Sequence, residues 1–325
     1  MLAVCPHSVY ADWYKQDRAA MGTRITVEIW SENAKQAQQC TAAVMGEMHR
    51  IDALMSPFKK DSGLSLLNRE AYQRAIRPGE ELYTLIARAQ HFSKISAGAF
   101  DITFASVGYQ YDFRKHLRPS DKDLRKHLGA VDYHHIILDP KQRSVRYSQP
   151  GVRIDLGGIA KGYAVDNSIK ILRACGIHDG LVTAGGDSRI MGDKHGRPWM
   201  MGVRNPRDKH GVAVVLPLSN IAISTSGDYE RYFMEGGKRY HHILSPRTGK
   251  PVSQTRSATV IGPDATNTDA LSTTLFVLGV KKGLALVESM PDYDAVIIDA
   301  NGKMHYSAGL MAPKSVAKTT NQGLH

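Results

Sequence analysis

The chain has 325 residues, 42% of them hydrophobic and 22% charged, which is ordinary globular usage and excludes wholesale disorder. Its formal charge is 42 − 31 = +11, a balance that attracts acidic partners such as phosphates, nucleic acid or anionic lipid, but the basic residues are scattered. No apolar run is long enough to span a membrane, and three cysteines (Cys5, Cys40 and Cys175) argue against a disulfide framework or a cysteine-rich zinc site.

Residues 1–20 read as an N-terminal tail or the remnant of a signal segment. Val9-Tyr10-Ala11 has the small-residue end of a secretory signal without the apolar core that should precede it. Leu2-Ala3-Val4-Cys5 faintly resembles a lipoprotein signal, although Val4 is large for its position. Two explanations stay open: an exported protein whose start is placed late, or a genuine short tail. The expectation is a periplasmic protein or one facing the periplasm at the membrane, with the cytoplasm as the alternative.

After Met21-Gly22-Thr23, the alternation in Arg24 to Trp30 predicts a strand with Ile25, Val27 and Ile29 on one face. Ala34 to Met55 carries apolar residues at helical spacing and ends before Pro57; a short helix follows near Ser62 to Asn68. A long helix is predicted over Glu80 to Ser96, with Leu82, Ile86, Ala89 and Ile95 inward and Gly98 as its stop. Ser120 to Asp123 is a capping-box-like helix start, and Ile136 to Asp139 with Ser144 to Ser148 suggests a hairpin. Val152 to Leu156 reads as a strand entering a glycine turn and a helix over Ala160 to Cys175. Strands are expected at Gly180 to Thr183, Trp199 to Val203, Val212 to Leu216, Ile221 to Thr225 and Ser257 to Ile261. Helices follow at Asp269 to Leu278 and Lys282 to Met290, then a strand at Tyr293 to Ile298 and a polar tail over residues 311–325. Without strict β-α alternation, the order predicts an α+β fold with a largely antiparallel sheet, one domain over residues 21–310.

Four blocks carry chemistry. In Asp155-Leu156-Gly157-Gly158-Ile159-Ala160-Lys161, a carboxylate precedes two glycines and a helix start, so backbone groups can approach an anionic ligand that Lys161 could neutralise. Taken alone, the glycine pair need only make a turn. Thr183-Ala184-Gly185-Gly186-Asp187 repeats the pattern; neither block matches the dinucleotide fingerprint GxGxxG. On a helix, Asp269 and Thr273 share a face, and a carboxylate with a hydroxyl suits a hard cation such as Mg²⁺, although helix capping is the commoner use of such residues. Adjacent His241 and His242 on a strand would point to opposite faces, so at most one enters a given site, where it could serve as a base.

Together with Met55-Ser56-Pro57-Phe58, Gly98-Ala99-Phe100-Asp101 and Ser224-Thr225-Ser226-Gly227-Asp228-Tyr229, these blocks resemble the ApbE family, the FAD:protein FMN transferases, from about Met21 to Gly309. The resemblance implies a single T-fold-like domain with packed helices. It also implies an enzyme that binds FAD and a divalent cation, usually Mg²⁺ with Mn²⁺ as a substitute. The FMN half would pass to a Thr or Ser of a partner protein, a redox subunit of a membrane electron-transfer complex, and AMP would leave. By position, Met21, Phe58, Ala99, Phe100, Asp101, Asp155 and Lys161 should line the FAD site. The Gly158 carbonyl, Asp269 and Thr273 should hold the metal, with help near Thr266, and His242 would be the base. Ser245 stands where the family commonly has Asp, which puts in doubt a role for that position in orienting His242; Tyr109 and Tyr111 lie where Trp is common. Rival readings are FAD hydrolysis to FMN and AMP, a non-catalytic flavin-binding protein, and a nucleic-acid binder, for which no motif exists.

Overall fold

The computed structural model describes residues 12–208 and 211–311. In chain order these form β1 (Asp12–Ala20), β2 (Thr23–Ser31), α1 (Ala34–Met55), α2 (Gly63–Glu70), α3 (Glu80–Ile95), α4 (Ala105–Gly108) and α5 (Asp121–Leu128). Next come β3 (Ile136–Asp139), β4 (Ser144–Tyr147), α6 (Ala160–Ala174), β5 (Gly180–Ala184), β6 (Asp187–Met191), β7 (Trp199–Arg204), β8 (Val212–Leu218) and β9 (Ala222–Gly227). The chain closes with β10 (Tyr232–Glu235), β11 (Lys238–His241), β12 (Thr255–Gly262), α7 (Ala265–Glu288), β13 (Asp294–Asp299), β14 (Met304–Tyr306) and α8 (Ala308–Met311).

An eight-stranded sheet runs β1-β2-β5-β6-β9-β12-β13-β14, and every pairing in it is antiparallel. Antiparallel neighbours need only short turns, which is why strands here follow one another without a helix between each pair. Ile25, Val27 and Ile29 of β2 are fully buried, as the alternation requires. α1 starts on Asn33, whose side chain accepts hydrogen bonds from the Lys35 and Gln36 backbone, and buries Ala37, Val44, Met48, Ile51 and Met55. α1 and α7 pack against α6, and α7 lies across β9, β12 and β13. By length and composition α7 could cross a membrane, and half of its apolar window is buried inside this fold. The α+β expectation holds.

Several elements differ from the sequence reading. The stretch 1–20 is not all tail: Asp12 to Ala20 pairs with β2 along its whole length, while residues 1–11 and the signal-like motifs lie outside the described residues. β1 is an edge strand carrying Lys15, Asp17 and Arg18, the charges that discourage edge-to-edge pairing, and they mask its alternation. Val152 to Leu156 forms no ladder. Its extended backbone is held by side chains instead: Asn68 bonds both N–H and C=O of Ile154, and Ser106 Oγ accepts from Arg153 N–H. Ile95 is 37% exposed, because the inward stripe of α3 continues from Ala89 to Phe92, one turn on, rather than to a residue six positions away.

The two predicted C-terminal helices are one helix kinked at Gly279, whose φ of 73° favours glycine. There the Gln254 side chain donates to the Val277 carbonyl at 3.0 Å. Cys40 on α1 and Cys175 at the end of α6 form a disulfide with Cα atoms 6.1 Å apart, a single pair where the cysteine count argued against a disulfide framework; Cys5 lies outside the described residues. Sequence separation hid this pair, because only the packing of α1 on α6 brings it together. The 311–325 tail falls outside the described residues beyond Met311.

Candidate active site

The site is built where α6 crosses α7. Gly162 makes the crossing possible: a Cβ there would lie 2.0 Å from the Ala265 carbonyl oxygen and 2.8 Å from Asp269 Cβ. The close approach lets Gly162 N–H donate to Asp269 Oδ2 at 3.0 Å. One residue earlier, Lys161 Nζ lies 2.6 Å from Asp187 Oδ2 and 3.4 Å from Asp269 Oδ2, and donates to the Gly157 carbonyl at 3.2 Å. Asp187 begins β6 directly after the Gly185-Gly186 turn, and a Cβ on Gly186 would meet the Thr225 carbonyl at 2.4 Å, so this turn too is packed backbone against backbone.

Two almost fully buried carboxylates therefore share one ammonium. Burial first and the neighbouring Asp187 charge second push the Asp269 pKa up. Burial opposes the charge on Lys161, but the two aspartates more than offset it and hold its pKa above the ordinary value. One formal negative charge is left over, and its surroundings are oxygen donors. A Cβ on Gly158 would be 3.2 Å from Thr273 Oγ1, and the Ser226 hydroxyl fixes Thr273 Oγ1 at 3.0 Å. Carboxylate, hydroxyl and carbonyl oxygens beside excess negative charge fit a hard divalent cation. Among the described residues no three His, Cys, Asp or Glu side chains converge to hold a metal ion, so a cation here would depend on hydroxyl and backbone carbonyl oxygens beside the carboxylate.

The remaining wall comes from turns. Asp155 Oδ1 accepts from Gly157 N–H at 2.7 Å, and burial raises its pKa. Phe100 packs beneath Gly158, its Cε2 being 3.2 Å from where a Cβ would stand. Met21 and Gly22 have φ of 53° and 70°, the two-residue hairpin turn joining β1 to β2, and Thr23 presses on Gly185. At the far side His242 follows β11; its backbone N–H donates to the Arg231 carbonyl at 3.1 Å. His242 Nδ1 is buried and, among the described residues, without a hydrogen-bond partner, and burial, then the charge of Arg231, lower the pKa to about 3.

Residues 21–297 match the profile of the ApbE family. The chain belongs to the ApbE family. A protein of Treponema pallidum named FAD:protein FMN transferase is 30% identical, the alignment covering 92% of this chain and 88% of that one. The structure of an ApbE protein from Thermotoga maritima superposes with a TM-score of 0.85 at 34% identity, covering 92% of this chain and 98% of the other. A structure described as flavin transferase ApbE from Vibrio cholerae gives a TM-score of 0.83 at 25% identity over 93% and 99% of the two chains.

In this ApbE chain the fold brings Gly158, Lys161, Asp269 and Thr273 together, with Phe100 packed beneath Gly158 and the Met21 turn resting on the Gly185-Gly186 turn. Of the two histidines, His241 is structural: it is buried, with Nε2 2.7 Å from the Val252 carbonyl. Asp101 is held from within the protein: one carboxylate oxygen accepts from Thr103 N–H and Oγ1 and the other from Tyr133 N–H, which fixes the turn that presents Ala99 and Phe100. The Thr266 N–H and hydroxyl donate to Asp166, an anchor for the start of α7. Phe58 stands 84% exposed on the loop before α2, with its ring open to a partner. The Ser245 backbone opens the turn to Gly249, and among the described residues its hydroxyl makes no bond to His242. Tyr111 OH donates to the Gly249 carbonyl, and Arg153 sits over the Tyr109 ring at 4.3 Å. Asp187, which the sequence placed in the second glycine block with no stated role, is the second carboxylate of the buried cluster; the repeated glycine-pair-plus-acid pattern was its signal.

Proposed function

We propose that this chain is a metal-dependent FAD:protein FMN transferase. The carrying observation is the buried Asp187–Lys161–Asp269 cluster beside Gly158 and Thr273, with a neutral His242 across the site. In the reaction, the hydroxyl oxygen of an acceptor Thr or Ser attacks the phosphorus of the riboflavin-side phosphate. The bond from that phosphorus to the bridging oxygen breaks, and AMP leaves carrying that oxygen. The hydroxyl proton passes to His242 and then to AMP or water.

His242 is suited to receive that proton because burial keeps it uncharged. An arriving diphosphate adds negative charge that opposes the effect of Arg231 and Lys161, raising the proton affinity when substrate is in place. Asp269, the Thr273 hydroxyl and the Gly158 carbonyl are the proposed ligands of Mg²⁺, for which Mn²⁺ could substitute. Bound there, the cation would neutralise charge on the diphosphate. Lys161 holds the two aspartates apart in one fixed arrangement, and the Asp155 turn lends its backbone to the nucleotide.

The acceptor is proposed to be a redox subunit of a membrane electron-transfer complex, met in the periplasm. Supporting the compartment is the Cys40–Cys175 disulfide, since disulfides persist mainly in oxidising surroundings. Protein, FAD and MgCl₂ incubated with an acceptor protein should give an acceptor heavier by FMN in the mass spectrum, together with AMP. Free FMN forming equally fast with and without acceptor would establish hydrolysis instead, and FAD left intact would establish a carrier.

A further inference from the structure

Besides Lys161, a second cation reaches the site, and the reaction as written gives it no task. Arg231 immediately precedes β10, and the β10–β11 register pairs Tyr232 with His241, so Arg231 falls opposite His242. The His242 N–H bond to the Arg231 carbonyl fixes that juxtaposition. From there the guanidinium extends to the β1–β2 turn: a Cβ on Gly22 would be 3.1 Å from Arg231 Nη2. Glycine at 22 serves the positive φ and at the same time leaves room for the arginine.

The neighbouring arginines are committed. Arg204 pairs with Glu230, Arg207 and Arg239 pair with Asp228, and Arg118 pairs with Glu235. Lys161 is held by Asp187 and Asp269. Among the described residues Arg231 has no carboxylate at ion-pair distance, although its charge bears on both Asp155 and His242. An unpaired guanidinium between a candidate base and a nucleotide-facing turn is placed for an anion that arrives with the substrate.

We propose that Arg231 binds the diphosphate bridge of the dinucleotide, taking phosphate oxygens with its two-pronged donors while Lys161 stays with the buried aspartates. This rests on the transferase reading, because it presumes that FAD occupies the site. Arg231 is thus a substrate-binding residue, and by joining the diphosphate to the strand pair that carries His242 it sets the phosphorus in reach of the base.

The test measures binding of FAD and of riboflavin by flavin fluorescence in EDTA, so that no metal or turnover enters. Wild type, Arg231→Ala, Arg231→Lys and the hairpin-tip control Lys238→Ala are compared. Loss of one charge-assisted contact should weaken FAD binding about tenfold in Arg231→Ala, leave riboflavin unchanged, and be partly restored in Arg231→Lys. FAD affinity within about twofold of wild type, or equal losses for FAD and riboflavin, would overturn the assignment. Wild-type protein that binds FAD no better than riboflavin would instead remove the dinucleotide reading of the whole site. Thermal midpoints of all four proteins separate a binding loss from a folding loss, and Arg231 is exposed enough that its replacement should not unfold the chain.

Discussion

The two sides of the site are made by different means. At the α6–α7 crossing, backbone packs on backbone through Gly162 and Gly186, and the charges of Asp187, Lys161 and Asp269 are buried. At the β10–β11 hairpin, His242 and Arg231 are carried by a separate two-stranded ladder, with Phe233 and Tyr240 stacked 5.3 Å apart and Met234 exposed. The first side cannot move without breaking the core. The second stands at the surface, where a macromolecular hydroxyl has to arrive. A fixed charge cradle opposite a surface hairpin that carries a buried base is a sensible division for an enzyme proposed to act on a protein.

The largest expected effect is on the fixed side. Asp269→Ala removes a carboxylate that Gly162 N–H and Lys161 both hold, and should lower metal-dependent FMN transfer by on the order of a thousandfold, as losing a preorganised charge partner does. FAD binding should survive in part. Wild-type rates in this variant would take Asp269 out of the metal site. Gly162→Ala attacks the same side through packing. Its methyl would meet the Ala265 carbonyl, a backbone atom that cannot swing away, so a stability loss of about 3 kcal/mol or more is expected. Urea unfolding reads this directly, and an unchanged midpoint would mean that the crossing relaxes.

On the exposed side, His242→Ala should slow transfer about a hundredfold with little change in FAD affinity. The same residue makes a pH prediction. Its folded pKa is lowered to about 3 from an ordinary 6.5, so on unfolding in acid it takes up a proton that the fold does not bind. Its contribution to stability is present above pH 6.5 and is lost as pH falls from 6.5 towards 3. Buried His241, whose pKa is also lowered by burial, adds a loss of the same sign. His242→Ala should therefore flatten the fall of thermal midpoint across that window; parallel curves for variant and wild type would show that His242 titrates normally.

The contrast also explains what the sequence could disclose. Periodicity located α1, α3 and β2 because each buries one regular face, and the α+β class followed. Motif order brought out Asp155 to Lys161 and Asp269 with Thr273. Asp187 stood in the second glycine block, but its place in a charge cluster shows only once Lys161 is seen against it. Arg231 was passed over, because it looks like surface charge until its neighbours prove paired and, among the described residues, it has no carboxylate at ion-pair distance. For Asp101 and Thr266 only the fold shows their internal partners, Thr103 and Tyr133 for the one and Asp166 for the other. The cysteine pair needed the α1–α6 packing, which no local pattern encodes.

The smallest predicted effect lies where the sheet meets α7, on the fixed side. The Ser226 hydroxyl on β9 lies 3.0 Å from Thr273 Oγ1 and 2.9 Å from Ser272 Oγ, one rung of a ladder that continues with Ser224 and Thr268 at 2.8 Å. This rung orients the Thr273 hydroxyl without touching substrate itself. Ser226→Ala removes two neutral hydrogen bonds, to Thr273 and to Ser272; Ser272 keeps its bond to the Asp269 carbonyl, and loss of the bond to Thr273 is worth about 1 kcal/mol, near fivefold. If Thr273 serves the cation, that fivefold should appear in the Mg²⁺ concentration giving half-maximal rate, with the rate at saturating Mg²⁺ retained. A loss that saturating Mg²⁺ does not repair would mean that Ser226 supports the fold of the cradle rather than the orientation of one ligand, and the metal side would then be rigid as a unit rather than ligand by ligand.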